Sequence, residues 1–171
     1  MDQSDYRTIL IDHNNRVLTL TLNRPDHLNA VDEVMHEELS RVFSDAARDK
    51  DSDIIVITGS GRAFCAGGDI EWLQDGIDNP LSFERTAVEG KQIVFSLLDC
   101  EKPIVAKVNG PAIGLGATLA LFCDVIFAAT EAKFADPHVR VGLVAGDGGA
   151  VIWPQLIGYA KAKEYLMTGD P

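Results

Sequence analysis

The side chains best suited to chemistry in this sequence are His138 and Asp147, which lie in the glycine-rich stretch "KFADPHVRVGLVAGDGGAVIWP". An imidazole ordinarily has a pKa of about 6.5, which suits proton transfer near neutral pH. Asp147 follows nine residues later, too far for one helix face, but the intervening glycines allow the chain to fold back into a His–Asp dyad. A histidine in a turn is also commonly structural, and an aspartate between glycines commonly caps the next helix. Both alternatives stay open on the residues alone.

Two glycine-rich loops, residues 59–69 and 109–116, offer a second kind of chemistry. Each follows an apolar run typical of a buried strand, and the second directly precedes a helical pattern. Backbone N–H groups at such a strand-to-helix turn can bind a developing oxyanion. The second loop is a poor dinucleotide motif, because Leu119 stands where the third glycine of GxGxxG belongs. For either loop alone, tight turning is a sufficient explanation of the glycines.

Length, composition and charge restrict the class of protein. The 171 residues, 46% of them hydrophobic, fit one domain, residues 1–171, with a buried core. The formal net charge of −11 argues against a nucleic-acid partner, because phosphate binding needs clustered Lys and Arg. Three widely spaced cysteines without a CxxC pattern fit reduced thiols rather than a metal or disulfide framework. We find no signal-peptide pattern and no run of about 18 apolar residues, so we expect a cytoplasmic protein without a membrane partner.

The elements that must position these residues alternate between strand and helix patterns. Residues 6–22 predict a β-hairpin, and residues 32–48 predict an amphipathic helix with acidic residues early and arginines late. Further patterns follow in this order: a strand buried on both faces in "DIIVITG", a helix over 81–98, a strand in "KPIVAKVNG", a helix in "GLGATLALFC", a strand in "DVIFAAT", and helices over 151–157 and 160–167. Strands joined by helical crossovers predict an α/β fold with a parallel sheet, in which ligands bind at the carboxyl ends of the strands. Both glycine loops lie at such ends.

Several motifs occur in the order that is found in one known family. They are "NRPDHLNA", "SGRAFCAGGDIEWL", "KPIVAKVNGPAIGLGATLALFCDVIFAATEAKFADP" and "GLVAGDGGAVIWPQLIGYAKAKEYLMTGD". Together they resemble the enoyl-CoA hydratase/isomerase (crotonase) family over nearly the whole chain. The resemblance implies a crotonase-like α/β spiral of ββα units with an acyl-CoA site, assembled as a homo-trimer or hexamer that a C-terminal helical region completes. That region would begin where this sequence stops, so we expect a chain truncated at its C-terminus.

The resemblance also implies roles for individual residues. The backbone N–H groups of Ala66 and Leu115 would form an oxyanion hole for the thioester oxygen. Further residues would line the coenzyme A path and the substrate site: Ala30, Gly67, Gly68, Asp69, Ile70 and Thr118. Family hydratases activate water with two glutamates, and Thr118 and His138 stand at those positions here. The two-glutamate mechanism therefore does not carry over.

We accordingly expect an enzyme of the enoyl-CoA hydratase/isomerase type that acts on an acyl-CoA thioester by enolate stabilisation, with His138 and Asp147 as acid/base. Coenzyme A enters as part of the substrate, and neither another cofactor nor a metal is expected. The His and Asp pattern also resembles that of the β-diketone hydrolases, which cleave a carbon–carbon bond without coenzyme A. A third alternative is an acyl-CoA-binding protein that has lost catalysis.

Other reactive or aromatic side chains have less specific expectations. Cys65 adjoins the first glycine loop and is expected to be a small loop or core residue. Trp72 and Trp153 fit either an acyl pocket or the core. His36 lies on a predicted helix, and no motif marks it as a ligand.

Overall fold

After a short 3₁₀ helix at Gln3–Asp5, the chain forms the predicted β-hairpin, and the rest of the sheet continues from the second strand of that hairpin. The computed structural model describes residues 1–171, except for the side chains of residues 82 and 83. The helices and strands follow in this order: β1 (Ile9–Asn14), β2 (Val17–Leu22), α1 (Glu33–Arg48), β3 (Ile54–Gly59), α2 (Ile70–Asp78), α3 (Phe83–Leu98), β4 (Ile104–Val108), β5 (Ala112–Ile113), α4 (Leu115–Leu121), β6 (Val125–Ala128), β7 (Phe134–Ala135) and α5 (Gly149–Thr168). At the hairpin turn, Asn15 and Arg16 have φ angles of 48° and 65°, a left-handed geometry that suits the twist of a two-residue hairpin.

Five strands form the main sheet in the order β1-β2-β3-β4-β6. The β1–β2 pair is antiparallel, and the pairs β2–β3, β3–β4 and β4–β6 are parallel. Parallel neighbours require crossover connections, which the intervening helices supply. The carboxyl ends of β3 and β4 therefore lie at one edge of the sheet, and both glycine loops leave from that edge. The predicted α/β class with a mainly parallel sheet is confirmed.

The core lies on one face of this sheet. Ile55 and Ile57 of β3 are fully buried in a cluster with the apolar faces of α1 and α3, whereas Ile54 is 39% exposed. The prediction that β3 is buried on both faces is therefore wrong. The helices cover the face that Ile55 and Ile57 share, and alternate side chains of a strand project to the other face. All four residues of the edge strand β6 are exposed.

Most helices form where the sequence predicts them. Asp32 caps α1 by accepting the N–H of Met35 at 2.9 Å. The two helical patterns near the end of the chain form α5, which is kinked at Gly158 with a φ of 76°. The sequence does not predict α2, a helix of nine residues that begins where Asp69 accepts the N–H of Glu71 at 3.1 Å. No helix in the described part of the chain is both long and apolar enough to cross a membrane.

Candidate active site

Backbone hydrogen bonds join three loops at the edge of the sheet. β5 and β7 pair as a short parallel two-stranded sheet that local sequence patterns did not predict. The N–H of Ile113 donates to the carbonyl of Cys65 at 2.9 Å, and the N–H of Gly114 donates to the carbonyl of Ala135 at 2.8 Å. The loops that follow β3, β4 and β7 therefore meet. This contact brings both glycine loops to the segment that carries His138.

Glycine allows these loops to approach closely. Gly67 and Gly114 have φ angles of 89° and 53°, which side-chain-bearing residues rarely adopt. A Cβ atom on Gly67 would lie only 3.0 Å from the carbonyl oxygen of Ile113. A Cβ atom on Gly114 would lie 3.8 Å from the Gly67 Cα and 3.6 Å from Cε1 of His138. The imidazole thus lies directly beside the crossing of the two glycine loops.

The imidazole of His138 lies between two carboxylates. Its Nδ1 is hydrogen-bonded to Oδ1 of Asp136, whose side chain is fully buried. Its Nε2 lies 3.4 Å from Oδ2 of Asp147. Oδ1 of Asp147 accepts the Thr118 hydroxyl at 3.3 Å and the Gly149 N–H at 3.4 Å. Because a carboxylate can only accept, Nδ1 carries a proton towards Asp136, and Nε2 is the nitrogen that can exchange one.

Asp136 is the functional residue that the sequence analysis missed. We expected Asp147 to form a dyad with His138. The close contact at Nδ1 comes from Asp136, however, and Asp147 faces the opposite nitrogen. A signal was present, because an aspartate can bond to backbone and side-chain groups two residues further on. Asp136 stands two residues before His138, and its Oδ1 also lies 3.5 Å from the His138 N–H.

Burial and charge act on both members of the His138–Asp147 pair. Burial alone would lower the pKa of His138, but the hydrogen bond to Asp136 and the negative charges of Asp147 and Asp136 outweigh it, so this pKa lies above its ordinary value. Burial raises the pKa of the Asp147 carboxyl, and the charge of Asp136 adds to this against the opposing charge of His138. Both groups therefore retain a proton to higher pH than they would in water.

The buried carboxylate of Asp136 has room at its position because residue 149 is a glycine. Oδ2 of Asp136 has no hydrogen-bond partner among the described residues, and a Cβ atom on Gly149 would lie 2.1 Å from it. Gly149 is the first residue of α5. The carboxylate consequently lies at the amino end of this helix, where the helix dipole favours negative charge. Only glycine leaves room for that arrangement.

The backbone N–H groups of the two loops differ from the prediction in one respect. The N–H of Ala66 donates to the carbonyl of Leu28 at 3.1 Å and is therefore already engaged. Gly68 lies between two residues that are hydrogen-bonded to Val31. The Val31 N–H donates to the Gly67 carbonyl, and the Asp69 N–H donates to the Val31 carbonyl. These bonds turn the N–H of Gly68 away from Val31. Within the described chain, this N–H has no partner.

The N–H of Leu115 lies at the start of α4. Leu115 is the first residue of α4, so its N–H has no acceptor within the helix, and none occurs elsewhere in the described residues. The dipole of the helix adds positive potential at the same point. The free N–H groups at this site are accordingly those of Gly68 and Leu115.

A cavity of about 860 Å³ opens in front of these groups. His138, Asp147, Gly68 and Leu115 line it. Apolar side chains from α2 and α3 form much of the remaining wall, among them Trp72, Leu73, Val94, Phe95 and Leu98. An apolar cavity with a few convergent polar groups is typical of a site that binds an organic substrate.

The residues predicted along the coenzyme A path divide into two groups. Three of them line the cavity: Gly67, Gly68 and Ile70. The other three lie outside its wall. Asp69 caps α2 and pairs with Arg24 at 3.1 Å, and the carbonyl of Ala30 accepts from the same guanidinium. Thr118 is buried behind Asp147, so its contact is with a candidate catalytic group rather than with the cavity.

Cys65 and the tryptophans have clear positions. Cys65 is fully buried, and burial raises the pKa of its thiol to about 12, which confirms it as a core residue. Trp72 lines the cavity. Trp153 packs instead against Tyr165, with ring centroids 5.8 Å apart. The two expected roles, pocket and core, are thus divided between the two tryptophans.

The same acidic cluster has the spacing of a cation site. One ligand atom each from Asp136, His138 and Asp147 lies within 4.8 Å of the others. However, Nδ1 of the ring and Oδ1 of Asp136 bond to each other, and the second oxygen of Asp136 faces Gly149, so Nε2 of His138 and Asp147 are the ligands that remain. A zinc site in a protein uses three or four protein ligands. The arrangement therefore fits proton exchange between the ring and Asp147 better than metal coordination.

Comparison with known proteins shows the family to which the chain belongs. The chain matches the enoyl-CoA hydratase/isomerase family over residues 12–171, and it belongs to that family. Its structure is similar to the crystal structure of an enoyl-CoA hydratase/isomerase from Mycobacterium paratuberculosis, with a TM-score of 0.94 and 42% identity, covering 97% of this chain and 67% of that one. The expected crotonase-like fold is confirmed.

Curated relatives include enzymes named for different reactions. A crotonyl-CoA hydratase of Syntrophomonas wolfei is 34% identical, covering 96% of this chain and 63% of that protein. A 1,2-epoxyphenylacetyl-CoA isomerase of Escherichia coli is 36% identical, covering 90% of this chain and 60% of that protein. The chain spans about three fifths of the length of the curated relatives it matches. Family membership thus leaves the reaction itself to be argued from the site.

Proposed function

We propose that this protein is an acyl-CoA enzyme that stabilises an enolate and transfers protons through His138, with addition of water to an enoyl-CoA as its reaction. The observation that carries the proposal is the meeting of His138 with the free N–H groups of Gly68 and Leu115 on one apolar cavity. Family membership supports a thioester substrate, since the hydratase and the isomerase relatives are both named for coenzyme A esters.

The two N–H groups would hold the thioester oxygen. As negative charge develops on that oxygen, the N–H groups of Gly68 and Leu115 donate to it, and the dipole of α4 adds to the stabilisation. Gly68 takes the role that the sequence analysis gave to Ala66, whose N–H is bonded to Leu28. Loss of one donor of this kind typically lowers kcat by about 10²–10³-fold.

The His138–Asp147 pair would move the protons. The neutral His138 takes a proton at Nε2 from the water that adds to the β-carbon, and the imidazolium so formed gives that proton to the α-carbon. The negative charge of Asp147 stabilises the imidazolium in between. Asp136 holds the proton at Nδ1 and keeps the ring in its orientation, as the buried aspartate does in hydrolytic triads.

A second candidate function is carbon–carbon bond hydrolysis of a β-diketone without coenzyme A. The observation that favours it is the distance of 3.4 Å between Nε2 of His138 and Oδ2 of Asp147. A histidine paired with a carboxylate is a suitable base for water that attacks a ketone, and the same N–H groups would bind the enolate that leaves.

The test compares two substrates and two proteins. The full-length protein and its His138→Ala variant are incubated with crotonyl-CoA and with a cyclic β-diketone, and products are followed by absorbance and mass. We expect the native protein to add water to crotonyl-CoA and the variant to lose this activity. Ring opening of the diketone alone would replace the first proposal with the second. Tight thioester binding without turnover of either substrate would favour the non-catalytic alternative.

A further inference from the structure

A second polar cluster lies in the wall of the same cavity. Nδ1 of His36, on α1, is hydrogen-bonded to Oε2 of Glu89, on α3, at 2.8 Å. Oε1 of Glu89 accepts from Nε of Arg85 at 2.5 Å. The His36 ring also packs against Trp72, with centroids 5.1 Å apart and planes tilted by 47°. These contacts fix the position of the ring, and both His36 and Trp72 line the cavity.

The other nitrogen of His36 is available to a ligand. Glu89 is paired with Arg85 and acts as a carboxylate that only accepts, so Nδ1 carries the proton that points at it. Nε2 therefore faces away from Glu89. No described residue donates to it or accepts from it, although the His36 side chain is only 6% exposed.

A glycine in the middle of α3 keeps Nε2 open. Glycine within a helix is less stable than alanine, so a glycine there calls for a reason. A Cβ atom on Gly90 would meet only one atom within 4 Å, Nε2 of His36 at 3.9 Å. No backbone constraint or close packing at this position requires glycine. The missing methyl group leaves space about 3.9 Å from the imidazole nitrogen, and Gly90 itself lines the cavity.

A purely structural role, in which the pair of His36 and Glu89 holds α1 against α3, does not account for the open Nε2 of His36. A buried hydrogen-bonded pair of this kind contributes little net stability compared with well-packed apolar side chains. The surrounding wall is largely apolar, with Thr86 and Lys91 as further polar residues on α3, so the nitrogen of His36 imposes a requirement on whatever fills the cavity. A neutral ring offers Nε2 as an acceptor, whereas a protonated ring offers a donor. A hydroxyl group satisfies both states, because it can donate and accept.

We propose that His36 is a specificity-determining residue that binds a hydroxyl group on the acyl portion of the substrate, away from the reacting carbons. The inference rests on the proposed function, since it takes the cavity to hold an acyl-CoA. It narrows the substrate class from acyl-CoA esters in general to those that carry a hydroxyl on the acyl chain or on a ring within it.

The test uses thioesters that bind without reacting. The dissociation constants of 3-phenylpropanoyl-CoA and its three ring-hydroxylated isomers are measured by calorimetry with the full-length protein. We expect one hydroxylated isomer to bind about tenfold more tightly than the unsubstituted ester, the equivalent of about 1.4 kcal/mol. His36→Phe keeps the ring packing against Trp72 and should abolish that preference, so that all four esters bind with affinities within about twofold of one another.

Two further variants separate recognition from structure. Gly90→Ala should stabilise α3 yet reduce the hydroxyl preference, because its methyl group meets Nε2. His27→Phe, at an exposed histidine outside the cavity, should keep the preference. Equal binding of all four esters by the native protein would overturn the role of His36 and leave the acyl-CoA assignment intact. If none of the esters binds, the acyl-CoA assignment fails, and this inference fails with it.

Discussion

Replacement of Gly149 by alanine is a sharp test of the idea that Asp136 positions His138. On helix propensity alone, Gly149→Ala at the first position of α5 should be neutral or stabilising by up to about 1 kcal/mol. The new methyl carbon would lie 2.1 Å from Oδ2 of Asp136, and the Ala145 Cβ at 3.3 Å blocks another direction. An ordinary contact needs about 3.5 Å, so the carboxylate must retreat by more than about 1 Å.

This displacement of the Asp136 carboxylate should lower the activity more than the stability. Overpacking of this size typically costs about 1–3 kcal/mol, part of which the gain in helix propensity offsets. A displacement of about 1 Å at a positioning group can lower the rate by about 10²-fold. We therefore expect kcat/KM for crotonyl-CoA to fall by about 10²-fold while the protein remains folded in a thermal melt.

A neighbouring glycine supplies the matched control. A Cβ atom on Gly146 would meet only Val144, at 3.5 Å and 3.8 Å, and the φ angle of Gly146 is not positive. Gly146 lines the cavity without touching Asp136, so Gly146→Ala should lower kcat/KM far less than Gly149→Ala does. If Gly149→Ala retains the native kcat/KM and Tm, the buried carboxylate is not held where the reasoning places it, and its role in positioning His138 is refuted.

Three other variants or treatments probe separate parts of the site. Leu115→Pro should lower kcat by about 10²–10³-fold and Leu115→Ala far less, because proline fits the first position of a helix but has no N–H. Steady-state kinetics with thermal melts checks this prediction, and equal losses of kcat in the two variants would count against a role of the N–H. Asp136→Asn should move the acid limb of the pH profile of kcat/KM to lower pH, because Asp136 raises the pKa of His138 and a base works only above its pKa. An acid limb at the same pH in the variant and in the native protein would contradict this prediction. Iodoacetamide at about pH 8 should leave Cys65 unmodified in the native protein, since burial raises its pKa to about 12; rapid labelling in a peptide map would show that the thiol is accessible.

Local sequence patterns are sufficient for much of the fold. The hairpin and α1 are predicted because alternation, turn residues and an amphipathic pattern with its cap are all local features. The β3 strand is predicted, but its open face is not, because a continuous apolar run does not say which face helices will cover. The short helix α2 and the pairing of β5 with β7 depend on contacts between distant segments, which no local pattern encodes.

The candidate site, like the fold, is predicted from the sequence only in part. His138 and Asp147 stand out by residue type and position, and the structure places them 3.4 Å apart. Asp136 is harder to recognise, because its importance comes from complete burial beside the ring rather than from its spacing alone. The choice between Ala66 and Gly68 depends on which N–H is already bonded, and only the fold shows that Leu28 occupies the first.

The most direct test of enolate formation through His138 is the exchange of α-hydrogens in deuterated water. Butanoyl-CoA, which cannot undergo hydration, is incubated with the full-length protein in D₂O, and uptake of deuterium at the α-carbon is followed by mass spectrometry. The account predicts exchange with the native protein and its loss, by about 10²-fold or more, in both His138→Ala and Leu115→Pro. Binding of the ester without any exchange in the native protein, or exchange that persists in His138→Ala, would contradict it.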